Sequence, residues 1–190
     1  MNKNIKDLVM KLDLPFEKAA LMAFIEVETG GEGFDSTTGK IMIQFEPAWF
    51  KKKAPYAPSG KWSLNKVERQ SKEWTAFNDA FRINSNAAME STSIGLGQIM
   101  GFHWKTLGYE SVGAMWDYAK EGLSNQIMQI VQFIKANPKL LKAIQDHNWH
   151  LCAVYYNGAG YKTLAKKYGR EPYNESLAKA YSKYIKTIKG

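Results

Sequence analysis

One cysteine, Cys152, stands in a chain of 190 residues, so no internal disulfide can form. The fold has to close on its own hydrophobic core, which a chain of this length can bury. Nothing in it calls for an oxidising compartment. Histidine is also scarce. His147 and His150 lie close to Cys152, but within one apolar helical pattern and without Cys-x-x-Cys or His-Glu-x-x-His spacing. No glycine-rich loop leads into a Lys-Ser or Lys-Thr pair. The sequence therefore implies no metal and no cofactor. Cys152 also lacks the downstream histidine of most cysteine-peptidase nucleophiles. No apolar run is long enough to cross a membrane. The apolar stretch Ala19 to Ile25 is flanked by Glu17, Lys18 and Glu26, which is not the layout of a signal peptide. The expected location is the cytoplasm, with release by another protein if the target lies outside it.

Acidic residues are outnumbered, 18 against 26 Lys and Arg, for a net charge of +8. Such a surface favours polyanions: nucleic acid, an anionic membrane or an anionic cell wall. The densest basic stretch, Lys162 to Lys189, alternates Lys with Ala, Leu, Tyr and Ile. It reads first as an amphipathic helix with a solvated basic face, and second as a membrane-active tail. Aromatic residues are 13% of the chain. Their rings fill cores everywhere, and their faces also stack on sugars. The length suits one domain over 1–190, with no separate wall-binding domain and no repeat.

Helical spacing covers most of the chain. Residues 3–12 form one expected helix. Asp13 and Pro15 suggest the cap and first turn of a second, over 15–28, ended by Gly30, Gly31 and Gly33. Residues 34–46 change character: a turn-rich segment precedes Ile41, Ile43 and Phe45 in alternation, a strand or small hairpin. Residues 51–72 read as a loop-rich insertion. Further helices are expected near 66–83, 86–100, 111–119, 123–136, 138–145, 147–156 and 173–188.

Three strings carry chemistry. Val27-Glu28-Thr29-Gly30-Gly31 places a carboxyl group at a helix C-terminus, where unpaired carbonyls and the helix dipole disfavour negative charge. A raised pKa there suits a general acid. Alone, Glu28 reads first as a solvated helix-end residue, and it is the other two strings that overturn this. Glu26, two positions away, points to another face. Gly95-Leu96-Gly97-Gln98-Ile99-Met100-Gly101 reads as glycines inside a helix, at about 1 kcal/mol each, with Gln98 and Met100 on its open side. Close approach of a substrate or a tight helix crossing would each explain them. Tyr155-Tyr156-Asn157-Gly158-Ala159-Gly160 ends a helix. Asn followed by Gly is a common stop, and a tyrosine hydroxyl there suits an acetamido group or the acid.

In this order the strings resemble the lysozyme-like superfamily, including goose-type lysozymes and soluble lytic transglycosylases. More closely, Val-Glu-Thr-Gly-Gly-Glu-Gly-Phe, Ile-Gln-Phe-Glu-Pro-Ala-Trp-Phe, Ser-Ile-Gly-Leu-Gly-Gln-Ile-Met-Gly-Phe and Tyr-Asn-Gly resemble the N-acetylmuramidase family of phage endolysins, from about residue 5 to 185. The resemblance implies a mainly α, lysozyme-like α+β fold, with a helical bundle around a catalytic helix and one small β element near 34–46. It implies cleavage of the β-1,4 bond between N-acetylmuramic acid and N-acetylglucosamine by a monomer whose partner is peptidoglycan rather than nucleic acid. It also implies an enzyme that waits in the host cytoplasm before lysis. Glu28 matches the catalytic acid. Glu46 matches the Phe-Glu after the strand, either a second carboxylate or a buried ion pair holding the hairpin. Gln98, Met100, Tyr156 and Asn157 fall in substrate-binding motifs. Thr29, Pro47-Ala48 and Ile94 depart from the usual residues, Ile94 at a position where an aromatic is common. The alternatives are a lytic transglycosylase, which makes 1,6-anhydro ends, and a non-catalytic wall-binding or toxin-associated domain.

Overall fold

The structure, a computed structural model, describes residues 3–66 and 69–189. The chain divides into two compact units. Met1–Gly31 joins Ile130–Gly190 in the first, and Glu32–Gln129 forms the second. Helix α7 (Leu123–Ala136) carries the chain from the second back into the first.

The first unit contains α1 (Lys3–Met10), α2 (Lys18–Thr29), α8 (Pro138–Gln145), α9 (Trp149–Tyr156), α10 (Tyr161–Lys167) and α11 (Tyr173–Lys189). Helix α2 is its centre: every residue from Ala19 to Ile25 is buried. A helix that is apolar all round must be covered on all sides, and Ala19, Ala20 and Ala23 let neighbours come close. It starts at Lys18 rather than near 15. Glu17 is its N-cap residue without a capping side-chain bond, because the carboxylate is spent on His147 at 2.9 Å and on the Tyr181 hydroxyl. The Pro15 carbonyl accepts from Gln145 Nε2 at 2.9 Å. These tertiary bonds hold residues before Lys18 off the helix. At the other end Gly30 takes φ +64 and returns its N–H to the Glu26 carbonyl, the left-handed stop expected of glycine.

Helix α11 packs along α2. Leu177, Ala180 and Tyr184, spaced three and four apart, are buried. Lys162 to Lys189 is not one helix: Gly169, at φ +60, separates α10 from α11.

The second unit contains a three-stranded antiparallel sheet in the order β1-β2-β3, with β1 (Ile43–Phe45), β2 (Thr92–Ile94) and β3 (Ile99–Met100). Around it are α3 (Pro47–Lys53), α4 (Gln70–Ile83), α5 (Ser85–Glu90) and α6 (Val112–Lys120). Two expectations are corrected here. The helix over 86–100 stops at Glu90, and a β-hairpin takes its place beyond that residue. Thr92, Ile94 and Ile99 are β-branched and pair across strands, while Gly95 at φ +65 and Gln98 at φ +45 make the turn. Gly95 serves a turn, not a helix crossing. The insertion over 51–72 is also more ordered than expected. Lys51, Lys52 and Lys53 form the last turn of α3, and Lys61–Leu64 is a 3₁₀ turn. Of the helix expected from 66, α4 begins at Gln70; positions 67 and 68 lie outside the described residues.

The free edge of β1 is covered by side chains of α4. Gln70 accepts from the Ile43 N–H at 2.9 Å and donates to its carbonyl at 2.8 Å. Glu73, 1% exposed, accepts from the Phe45 N–H at 2.8 Å. These bonds take the place of a fourth strand and cover the β1 edge of the sheet. Behind the hairpin, Gln126 of α7 accepts from the Leu96 N–H at 3.0 Å and donates to the Ala119 carbonyl at 3.0 Å.

The hairpin returns to α5 through a close backbone contact: a methyl group at Gly101 would lie 2.1 Å from the Met89 carbonyl oxygen. We expect Gly101→Ala to cost about 2–3 kcal/mol, lowering the melting temperature by roughly 5–10 °C. Thermal unfolding followed by circular dichroism measures this, and an unchanged midpoint would contradict the packing described.

Candidate active site

Glu28 lies in the last turn of α2. Its Oε1 accepts a hydrogen bond from the Tyr173 hydroxyl at the start of α11. Burial raises the carboxyl pKa from 4.5 to about 7, against the opposing pull of the Tyr173 bond. Burial outweighs that bond because an ionised carboxylate loses far more hydration than one hydroxyl returns. With Oε1 occupied by a donor, the proton belongs on Oε2.

The wall behind Glu28 is aromatic. Tyr156, at the end of α9, packs against Phe24 with centroids 4.7 Å apart, and against Phe133 at 5.2 Å. Tyr173 stacks on Tyr156 at 6.4 Å, 16° from parallel. Burial, and then the Glu28 charge, hold both phenols well above their ordinary pKa. They stay neutral and can only offer hydrogen bonds. Asn157, next in the chain, is the exposed C-cap residue of α9.

The second unit collects the other candidates on one face of its sheet. Gln44 pairs with Ser93, and Ser93 with Met100; side chains at paired positions share a face. Ile43, Phe45, Ile94 and Ile99 point the other way and are buried. On the polar face the groups form a chain of bonds. Gln44 Nε2 donates to Glu46 Oε1 at 2.7 Å, and the Ser93 hydroxyl donates to Gln98 Oε1 at 2.8 Å. Gln98 Nε2 donates to the Gly95 carbonyl at 3.0 Å. The Glu46 pKa is raised, by burial first and also by the Glu73 charge, with the Gln44 bond opposing. Among the described residues Glu46 makes no ion pair, so it is not the buried ion pair that holds the hairpin. Glu73 does that work, by bonding the backbone.

Of the six residues singled out from sequence, Glu28 and Tyr156 come together in the first unit, with Asn157 beside them in sequence. Glu46, Gln98 and Met100 share a face of the second unit. Tyr173, Gln44 and Ser93 were not singled out. Tyr173 had a signal: it precedes Leu177, Ala180 and Tyr184 at spacing four, three and four, and so belongs to the inner face of its helix. Gln44 and Ser93 had none, because their pairing is a matter of register.

Residues 17–185 match the N-acetylmuramidase family. The chain belongs to that family. By family it is a peptidoglycan-degrading glycoside hydrolase. Its fold resembles the crystal structure of the Burkholderia AP3 phage endolysin, with a TM-score of 0.75 and 28% identity over 98% of this chain and 69% of that one. The mainly helical, lysozyme-like architecture is therefore that of an endolysin. A bifunctional dihydrofolate reductase-thymidylate synthase of Leishmania amazonensis is 36% identical over 73 residues. That stretch is 38% of this chain and 14% of the length of that curated relative, and neither of its activities is carried over.

For this muramidase-family chain, Tyr173→Phe removes the one hydrogen bond that draws the Glu28 pKa down. We expect the Glu28 carboxyl to titrate above 7 in that variant, read by carbon-detected NMR. A titration at lower pH than in the parent would contradict the geometry.

Proposed function

We propose that the chain cuts the β-1,4 bond between N-acetylmuramic acid and N-acetylglucosamine, with Glu28 as proton donor. The observation that carries this reading is the Glu28 carboxyl, raised to about 7 by burial with one oxygen taken by Tyr173. A glycosidic oxygen is a poor leaving group until it is protonated, and a carboxylic acid does this near neutrality only if its pKa is raised. Tyr156 and Asn157 are assigned to the acetamido-bearing sugar beside the acid. Gln98 and Met100 are assigned to the glycan strand. Glu46 is assigned the complementary role of positioning water or offsetting the positive charge of the oxocarbenium-like state, the alternative being the acetamido group of the substrate itself. The family match runs through both compact units, which supports one catalytic domain over 1–190.

The net charge of +8 speeds encounter with an anionic envelope at low ionic strength. Lys162, Lys166, Lys167 and Arg170 have no ion-pair partner among the described residues, and they add to this attraction. The biological reading is a monomeric lysin held in the host cytoplasm until the membrane is opened. Among the described residues no helix is long and apolar enough to cross a membrane.

Glu28→Gln keeps the shape and removes the proton. We expect the rate of turbidity loss on purified peptidoglycan to fall by roughly 10³-fold, and a variant as fast as the parent would overturn the assignment. Mass spectrometry of the muropeptides separates the outcomes of the reaction. Hydrolysis leaves reducing ends, whereas transglycosylation leaves anhydro ends lighter by one water.

The same residue makes a stability prediction. Its folded pKa, about 7 against an ordinary 4.5, means the folded state holds this proton more tightly than the unfolded chain does. That contribution is complete below about pH 4.5 and is lost as pH rises from there through 7, a change of about 3 kcal/mol. We expect Glu28→Gln to melt above the parent at pH 8 and to lose that advantage at pH 5. Calorimetry at the two pH values tests this, and equal pH dependence of the two proteins would contradict it.

A further inference from the structure

Six tryptophans are present, and Trp49 is the one in the exposed class, at 41%. An indole left in water is an unused apolar surface. Its place in the fold is specific. Glu46 is the N-cap residue of α3, and the Trp49 N–H donates to the Glu46 carbonyl at 3.1 Å. That bond closes the first turn of α3, so Trp49 stands one turn beyond the residue at the Glu46 end of the polar sheet face. Phe102, two residues beyond Met100, meets the indole with centroids 4.9 Å apart. Two rings from separate segments thus meet, one a helical turn beyond Glu46 and the other two residues beyond Met100.

The charge around them is also selective. Lys51 donates to the Pro55 and Ala57 carbonyls at 2.9 and 3.1 Å, and Lys53 pairs with Glu90 at 2.6 Å. Lys52 has no ion-pair partner among the described residues and stands 4.6 Å over the Trp49 ring. A lysine on a flexible, exposed stem leaves an aromatic face at little cost.

We propose that Trp49 and Phe102 form an aromatic shelf that takes a pyranose ring of the glycan strand, and that Lys52, displaced from the indole, meets a carboxylate of the attached peptide stem. This extends the reading of the Glu46 face as a glycan-binding surface and rests on that reading. The chemistry is the stacking of sugar C–H bonds on a π face, with a cation beside it that favours peptide-bearing strands over neutral chitin.

The test uses full-length protein carrying Glu28→Gln, co-sedimented with purified sacculi, with chitohexaose as a neutral competitor. We expect Trp49→Ala to weaken sedimentation about tenfold, while Trp49→Phe stays within about threefold because a ring remains. Lys52→Gln weakens binding to sacculi a few-fold and leaves the competing concentration of chitohexaose unchanged, since that sugar has no carboxylate. Trp49→Ala binding as tightly as its parent overturns the shelf. Equal weakening by Trp49→Ala and Trp49→Phe also overturns it, because that marks a packing defect. Should Glu28→Gln still digest the sacculi, the assignment of Glu28 fails separately. The Trp49 comparison is then read by calorimetry with chitohexaose, where equal affinity of Trp49→Ala and parent overturns the shelf.

Discussion

Burying the charge of Glu28 is costly, and the first unit is arranged so that the cost persists. The carboxyl sits at the end of α2, where backbone carbonyls run out of partners and Gly30 turns the chain away. Helix α11 closes over it with a phenol instead of a cation. A lysine at that position would form an ion pair and draw the pKa down. Tyr173 offers a single neutral hydrogen bond, and burial still prevails. Glu26, two residues away on the same helix, is treated differently: it receives Lys183 at 2.9 Å and the Tyr184 hydroxyl. One helix therefore holds one carboxylate paired with a lysine and another whose pKa burial raises, and the partners supplied by α11 differ accordingly.

The second unit divides its carboxylates in a similar way. Glu73 is nearly inaccessible, and its Oε2 accepts from both the Phe45 N–H of β1 and the Asn65 amide. Its job is to end a sheet that would otherwise expose an edge. Glu46 lies one residue past the same strand, and its bond to the Gln44 side chain is the one that orients it. The charge of Glu73 adds to the burial that raises the Glu46 pKa, so the carboxylate that bonds the strand also acts on its neighbour. Gln126 braces the tight hairpin turn from behind, which holds Gln98 in place despite its positive φ. Loops that carry function work best when a rigid neighbour supports them.

Much of this was legible in the residues. The apolar run of α2, the stop at Gly30, the helix over 138–145 and the strand at Ile43–Phe45 obey local rules, and the structure has them. The place of Glu28 at a helix end was legible because a helix C-terminus and a glycine stop are both local features, but the burial that raises its pKa was not. The hairpin over 92–100 was not. Glycine inside an apolar segment fits a helix crossing or a turn equally well, and only pairing with β1 decides between them. The start of α2 was misplaced for a related reason. Asp13 is a better capping residue than Glu17, but Glu17, Pro15 and Gln145 are tied by bonds between segments some 130 positions apart. The role of Glu46 stood between ion pair and free carboxylate until the partners of Glu73 were known.

By itself the chain determined most of its helices, the glycine stop of α2, its excess of positive charge and the position of one carboxyl group at a helix end. These depend on neighbours within about one turn, whose spacing is written in the sequence. Tertiary structure alone decided that Tyr173 and not a lysine caps Glu28, that Gln44 and Ser93 share a face with Met100, and that Glu73 takes the structural role. Those outcomes depend on register and on the packing of distant segments. Hydrogen-bond partners and burial arise when such segments meet, and no local pattern records which ones will.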